Sequence, residues 1–364
     1  MPAGPPLARA RRTASRAAGS EAALADVRSV PGQKVVYLMG ENPMLVEDAI
    51  EREFHALAEQ RQEDAKLQQQ RRPGSAVGQD AVLQERMAEV RRGERERAVA
   101  ELMYLTLCGK FRRLKAPLVP TMKQGGYAHV VTSESAALSS EVFSREALEL
   151  MRSTLAKSMV SAGGLPWDME SSLPVQMPLV SAGQLYATSM FFGHFLRQVD
   201  TRYQLEKRLG MLAGGGDSGG QTLEQYVKKF DQEELANMGK IGVLEAQLVT
   251  EINVQGLFGD LQQLKNTLMT VLQQGDVLDN QQAVEQRLQS AIRENKVPVL
   301  RFQTGELKRV LLEAVVFGGL LRDLMGELEG VYDLTPSEHS RLEPFGLEDG
   351  GPAGAGPFLP WLSR

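Results

Sequence analysis

The chain has 364 residues, enough for one large domain or two modest ones. Hydrophobic residues make up 42% and charged residues 24%, too apolar for a wholly disordered chain, and a net charge of −5 argues against a general polyanion binder, nucleic acid included. One cysteine excludes an intramolecular disulfide framework and a cysteine-based zinc cluster, and 15 methionines against 12 phenylalanines favour a helical core over an aromatic-rich β-sandwich.

Residues 1–20, MPAGPPLARARRTASRAAGS, hold Arg9, Arg11, Arg12 and Arg16 and no acid. Arginine among small hydroxylated residues is the composition of an organelle transit peptide, and no apolar stretch follows that would make a secretory signal. The competing reading is a disordered tail. Removing residues 1–20 would take the net charge from −5 to −9. Residues 1–30 are therefore assigned as a disordered transit peptide. The longest apolar run, Ala314 to Leu321, is interrupted by Gly318 and Gly319 and falls far short of the ~18 residues of a membrane span. No transmembrane segment is expected; peripheral membrane contact stays open.

Asn42-Pro43 reads as a helix start, followed by an apolar stripe of Val46, Ile50, Phe54 and Leu57. Beyond Gln60 the stripe fades into charge, and Pro73-Gly74-Ser75 breaks it. A second long helix is expected over 79–113. Its middle, Glu89 to Arg97, mixes both signs and reads as a solvated face rather than a nucleic-acid stripe. Its end carries core residues Leu102, Leu105, Leu107, Phe111 and Leu114. Lys110, Arg112, Arg113 and Lys115 suit a helix C-terminus. A loop follows from Pro117 to Ser140.

Ser144 is expected to cap a helix from Arg145 to Ala162, and Ser181 to open a long one reaching Leu212. The tract GGGDSGG, 214–220, reads as a flexible hinge. Further helices are expected near 222–236, 243–255, 257–274, 280–295 and 305–330. Two short strands, Val175–Leu179 and Val297–Phe302, would each precede a long helix. The glycine-rich tail, 337–364, is expected to be disordered.

The most informative feature is a pair of segments, Leu185 to Glu206 and Val310 to Val331, that align at an offset of 125 without a gap. Phe192, Gly193, Leu196 and Arg197 match Phe317, Gly318, Leu321 and Arg322. Each glycine has a small residue one turn before it, Ser189 or Ala314. Mid-helix glycine costs about 0.8–1 kcal/mol against alanine, so a packing contact should offset it. The two helices are expected to cross at Gly193 and Gly318 about a pseudo-two-fold axis, with the two strands pairing into a ribbon. The predicted fold is mostly α, an internally duplicated helical bundle with at most one small two-stranded β ribbon. Residues 31–140 form an N-terminal part of long charged helices and a loop. The first repeat spans 141–213. The second, with inserted helices, spans 221–336.

The phrases SREALELMRSTLAKSM, MFFGHFLRQVDTRYQLEKRL, LEQYVKKFDQEEL and LLEAVVFGGLLRDLMGELEGVYDLTP resemble the UV-B-induced chloroplast protein family, domain of unknown function 760. The resemblance runs from about Val35 to Pro336 and departs in the charged stretch 60–97 and the glycine hinge. It implies a chloroplast location and light-stress expression. It supplies no activity, cofactor or site residue.

No reaction is legible in the residues themselves. His55, His129, His194 and His339 form no metal-ligand spacing, and neither a Walker loop nor a nucleophile elbow is present. His194 reads as a packing or rim histidine, and Cys108 as a buried free thiol. The sharpest site candidates are Arg197 and Arg322, one turn after the crossing glycines. They flank a shared anion, or they pair with local acids such as Asp200, Glu206, Asp323 or Glu327. The second reading is preferred. No catalytic residue, metal site or cofactor is assigned. The expected role is a non-enzymatic helical interaction or assembly module of the chloroplast stroma, with a protein partner or self-association. The alternative is a small-anion or metabolite binder, or an enzyme, with a pocket between the repeats.

Overall fold

Two helices that are apolar nearly all round their circumference must be enclosed, and they set the architecture. They are α6 (Leu179–Arg208) and α12 (Thr304–Glu327). Along α12, Val310, Leu311, Ala314, Val315, Val316, Phe317, Leu320 and Leu321 are all buried. The computed structural model describes residues 27–70, 79–116, 118–127, 130, 135–163, 167, 172–212, 221–273 and 281–337. The assignments for residues 1–26, the glycine tract 214–220 and the tail 338–364 lie outside the described residues.

The chain enters through α1 (Val30–Glu41), a 3₁₀ turn at Pro43–Leu45 and α2 (Val46–Gln70). Helix α1 was not anticipated. Ser29 Oγ accepts from the Gly32 N–H at 3.1 Å and starts it, with Pro31 in the first turn. The predicted Asn42 cap is not used, since its side chain makes no capping hydrogen bond. Beyond Gln60, α2 holds its helical backbone to Gln70. Next comes α3 (Gln79–Arg113), at the predicted bounds. Its C-terminal half, from Ala98 to Phe111, enters the core.

The stretch after Pro117 holds more than a loop: β1 (Gly126–Tyr127) and α4 (Ser135–Ser140). Then follow α5 (Arg145–Gly163) and β2 (Pro174–Pro178), which runs straight into α6. Beyond the glycine tract lie α7 (Leu223–Val227), α8 (Gln232–Gly239), α9 (Leu244–Phe258), α10 (Leu261–Gln273) and α11 (Gln281–Arg293). Last is β3 (Val299–Gln303), which runs straight into α12. Around the α6–α12 pair pack α3, α4, α5 and α9, with α1 and α2 outside α3.

The sheet corrects one expectation. It has three strands in the order β1-β3-β2, not a two-stranded ribbon. The predicted pair is present and antiparallel, centred on Gln176 opposite Arg301. The third strand pairs Gly126 with Leu300 and Tyr127 with Arg301 in parallel. Gly125 and Gly126 both take positive φ to bring the chain there, a turn readily taken by glycine, and a Cβ on Gly125 would press on the Val299 carbonyl. A two-residue strand has no periodicity to read. The helix starts also differ. Ser181 and Thr304 do not cap: Pro178 and Gln303 hold those positions, and Thr304 Oγ1 donates instead to the Leu173 carbonyl at 2.9 Å.

The bounds of β2 and β3, and the first residues of α6 and α12, differ by the same 125 positions as the matched sequences. The central strand pair, Gln176 and Arg301, is also 125 apart.

Candidate functional site

At the helix crossing, backbone meets backbone. A Cβ on Gly193 would overlap the Val315 carbonyl. One on Gly318 would overlap the Met190 carbonyl and lie 2.8 Å from the backbone nitrogen of His194. Adding 125 to the first contact gives the second with partners exchanged. Both glycines are therefore explained by close approach, as small residues allow between helices. Gly319 has a separate role: its missing side chain makes room for the Phe143 ring, 2.6 Å from where a Cβ would stand.

The two arginines one turn further on are treated differently. Arg197 Nε donates to Asp323 Oδ1 at 2.8 Å, joining α6 to α12, and its Nη1 donates to the Val142 carbonyl. Arg322 is half-buried and forms no ion pair among the described residues. Of the other acids considered, Asp200 accepts from the Ser144 N–H and hydroxyl at 3.0 and 2.6 Å, Glu206 pairs with Arg202, and Glu327 with Lys110. The structure thus unites Arg197 with Asp323 and leaves Arg322 beside His194. That imidazole is buried, and among the described residues neither ring nitrogen has a hydrogen-bond partner. Burial, aided by the Arg322 charge, lowers its pKa to about 3, so it is neutral at physiological pH.

Sequence reasoning missed a buried polar group in the same core. Glu313 Oε2 accepts from Arg309 Nη1 at 3.1 Å and from the Val119 N–H at 2.9 Å, with both side chains at or below 2% exposure. Burial raises the Glu313 carboxyl to about 7 against the opposing pull of Arg309 and the Val119 N–H. Nearby, Asn253 Nδ2 donates to the Tyr186 hydroxyl at 3.1 Å, and burial pushes the Cys108 thiol to about 12, which leaves it protonated and unreactive at neutral pH. A usable signal was present: a lone acid inside an apolar run, VLLEAVVF.

The same signal marks Glu101, in AVAELMYL. Glu101 accepts from the Arg28 and Ser29 N–H groups at 2.8–3.1 Å, and Glu245 accepts from the Thr335 N–H at 2.9 Å and from its hydroxyl at 2.8 Å. With Glu313 on Val119 and Asp200 on Ser144, four carboxylates each clamp the backbone of a non-helical segment onto the bundle. These acids act as fasteners. Among the described residues no group of three or more His, Cys, Asp or Glu side chains is placed to hold a metal ion.

The surface offers one conspicuous apolar stripe. On α3, Val82, Leu83, Met87 and Val90 are each more than half exposed, and so is Leu67 on α2. Helical spacing puts the four α3 side chains on one face. A Cβ at Gly93, beyond Val90, would meet nothing within 4 Å. One of the ion pairs between the two helices, Arg95 Nη1 to Asp64 Oδ2 at 2.6 Å, lies on a different face of α3.

Residues 82–209 match the family described as protein of unknown function (DUF760). Two of the four helix phrases, residues 144–159 and 190–209, fall inside that match, the phrases at 223–235 and 311–336 lie beyond it, and the match begins inside the charged stretch 60–97. The chain is also 27% identical over 350 residues to the UV-B-induced protein At3g17800, chloroplastic, of Arabidopsis thaliana, an alignment covering 84% of this chain and 76% of that one. No solved structure matches the chain significantly. Among the described residues no helix is long and apolar enough to cross a membrane. The chain is thus mostly helical, with one segment that matches DUF760 and a chloroplast protein as a similar sequence, and neither comparison supplies a biochemical role.

Proposed function

We propose that the chain is a non-enzymatic interaction module of the chloroplast stroma, delivered there by an N-terminal transit peptide. The observation that carries the interaction role is the exposed stripe of Val82, Leu83, Met87 and Val90 on α3, a patch of a kind that usually marks a docking face. The chloroplast address rests on the Arg-rich, acid-free start and on the relative's printed name. The two strand–helix units, β2–α6 and β3–α12, are proposed to be copies of one ancestral unit. The common offset of 125 in strands, helix starts and crossing contacts supports that reading.

The stripe is tested by replacing Leu83 and Met87 with glutamate. The double variant should melt within about 1 °C of wild type, since exposed positions contribute little to the fold. It should lose the partner, or the higher assembly, that the wild type shows in pull-down from stroma and in light scattering. Equal assembly by both would end the interaction reading at this face. A second reading, an anion site at the crossing, is favoured by one observation: two unpartnered ring nitrogens of His194 beside the unpaired Arg322.

A further inference from the structure

A groove of about 590 Å³ opens where α1, α2 and α3 meet the end of α12, away from the α6–α12 crossing. Its walls are apolar: Ile50 and Phe54 from α2, Leu105 from α3, Leu324 from α12 and Leu328 just past its end. Met44 stands at its lip, 87% exposed. The size and the apolar lining are those of a small-molecule site.

Gly109 points to an occupant. It sits inside α3 on the groove wall, where glycine weakens a helix. Every glycine at the crossing is explained by a neighbour that fills its space, yet among the described residues a Cβ at Gly109 would meet nothing within 4 Å. The chain keeps a bare stretch of helix facing an open groove, which is the arrangement needed when a ligand lies against backbone.

The charges indicate the ligand's character. The lining holds three cations, Lys110, Arg112 and Arg113, and three carboxylates, Glu47, Glu51 and Glu327. Lys110 pairs with Glu327 and Arg113 with Glu47, and the remaining Arg112 and Glu51 are exposed and of opposite sign. The lining sums to zero, and the α3 C-terminus presents the negative end of its dipole. A charged head group gains nothing there. We propose that the groove binds an uncharged molecule with a long hydrocarbon chain, seated on the bare backbone at Gly109.

The test uses the full chain, Nile red as reporter, and geranylgeraniol and palmitate as uncharged and anionic competitors. Wild type should bind Nile red and release it to geranylgeraniol at a concentration at least tenfold below that needed with palmitate. Gly109→Leu should melt no lower than wild type, because its side chain enters open space, and should weaken geranylgeraniol binding at least tenfold. Gly109→Ala, the smaller change, should weaken it a few-fold. Failure of wild type to bind the alcohol, equal binding by wild type and Gly109→Leu, or preference for palmitate would each overturn the proposal. A Gly109→Ala variant that melts below wild type would overturn it as well, since the open space would then not exist.

Discussion

The α6–α12 crossing and the outer half of α3 are both long helices with glycine inside them, yet the same residue serves opposite ends. At Gly193 and Gly318 the missing side chains are replaced by a neighbouring carbonyl, and nothing else fits. At Gly93 and Gly109 the space stays open. The apolar residues follow suit: most of those of α12 are enclosed, whereas Val82, Leu83, Met87 and Val90 face solvent. Close packing makes the crossing a place where added volume is costly. The absence of packing makes the outer half of α3, and the groove side at Gly109, places where added volume is harmless to the fold and matters only to whatever docks there.

The largest way to break this contrast is Gly318→Leu. Overpacking a core typically costs about 1–3 kcal/mol, and here the obstacle is backbone that cannot swing aside, so the cost should reach the top of that range or beyond. At roughly 2–4 °C per kcal/mol for a chain approaching this size, the melting temperature should drop by about 10 °C, read by circular dichroism. An unchanged melting temperature would mean the helices do not meet at that glycine.

His194→Phe sharpens the same picture from its polar side. The buried imidazole titrates near 3 when folded and near 6.5 when unfolded, so the unfolded chain binds the extra proton between those values. Stability from this residue is complete above pH 6.5 and drains away as pH falls toward 3. Phenylalanine removes that loss, and at about 1.4 kcal/mol per pH unit the variant should gain about 3 kcal/mol over wild type on going from pH 7 to pH 4. A constant gap in denaturant midpoints across that range would show that the imidazole is not held neutral.

Glu313→Gln should act in the opposite direction and somewhat less. A carboxyl at about 7 folded and about 4.5 unfolded keeps its proton better in the folded state. Its contribution is therefore full below pH 4.5 and is lost as pH rises to 7. Glutamine abolishes that slope, so the stability difference between variant and wild type should shift in the variant's favour by up to about 3 kcal/mol from pH 4.5 to 7.5, by urea titration. A difference that does not change with pH would show that the Arg309 pair holds Glu313 ionised throughout. Smallest of all should be the thermal effect of the paired glutamates on the α3 stripe, whose consequence lies in assembly alone.

Much of this was legible before any fold was known. The bounds of α3, α5 and α11 follow, within a residue or two, from apolar periodicity and glycine or proline punctuation. The crossing glycines follow from two matched phrases and the cost of glycine in a helix. Neither β1, a two-residue strand, nor α1, started by Ser29 on a segment that Glu101 clamps, could be read locally, because their partners lie far away in the chain. At the candidate site the sequence singles out the two arginines together but does not tell them apart. Arg197 and Arg322 occupy equivalent positions in the matched phrases, and only Asp323, where the first helix has Gln198, separates their fates.

The amino-acid order by itself determined most of the helical segments, which two of them are apolar enough to be central, and where they touch. These depend on periodicity and on the volume of single residues, both local properties. Tertiary structure alone decided which acids became backbone clamps, which arginine kept an empty hand, and which glycines were filled. Those outcomes depend on what another segment brings within hydrogen-bond or van der Waals reach, and distance in space is not written in distance along the chain.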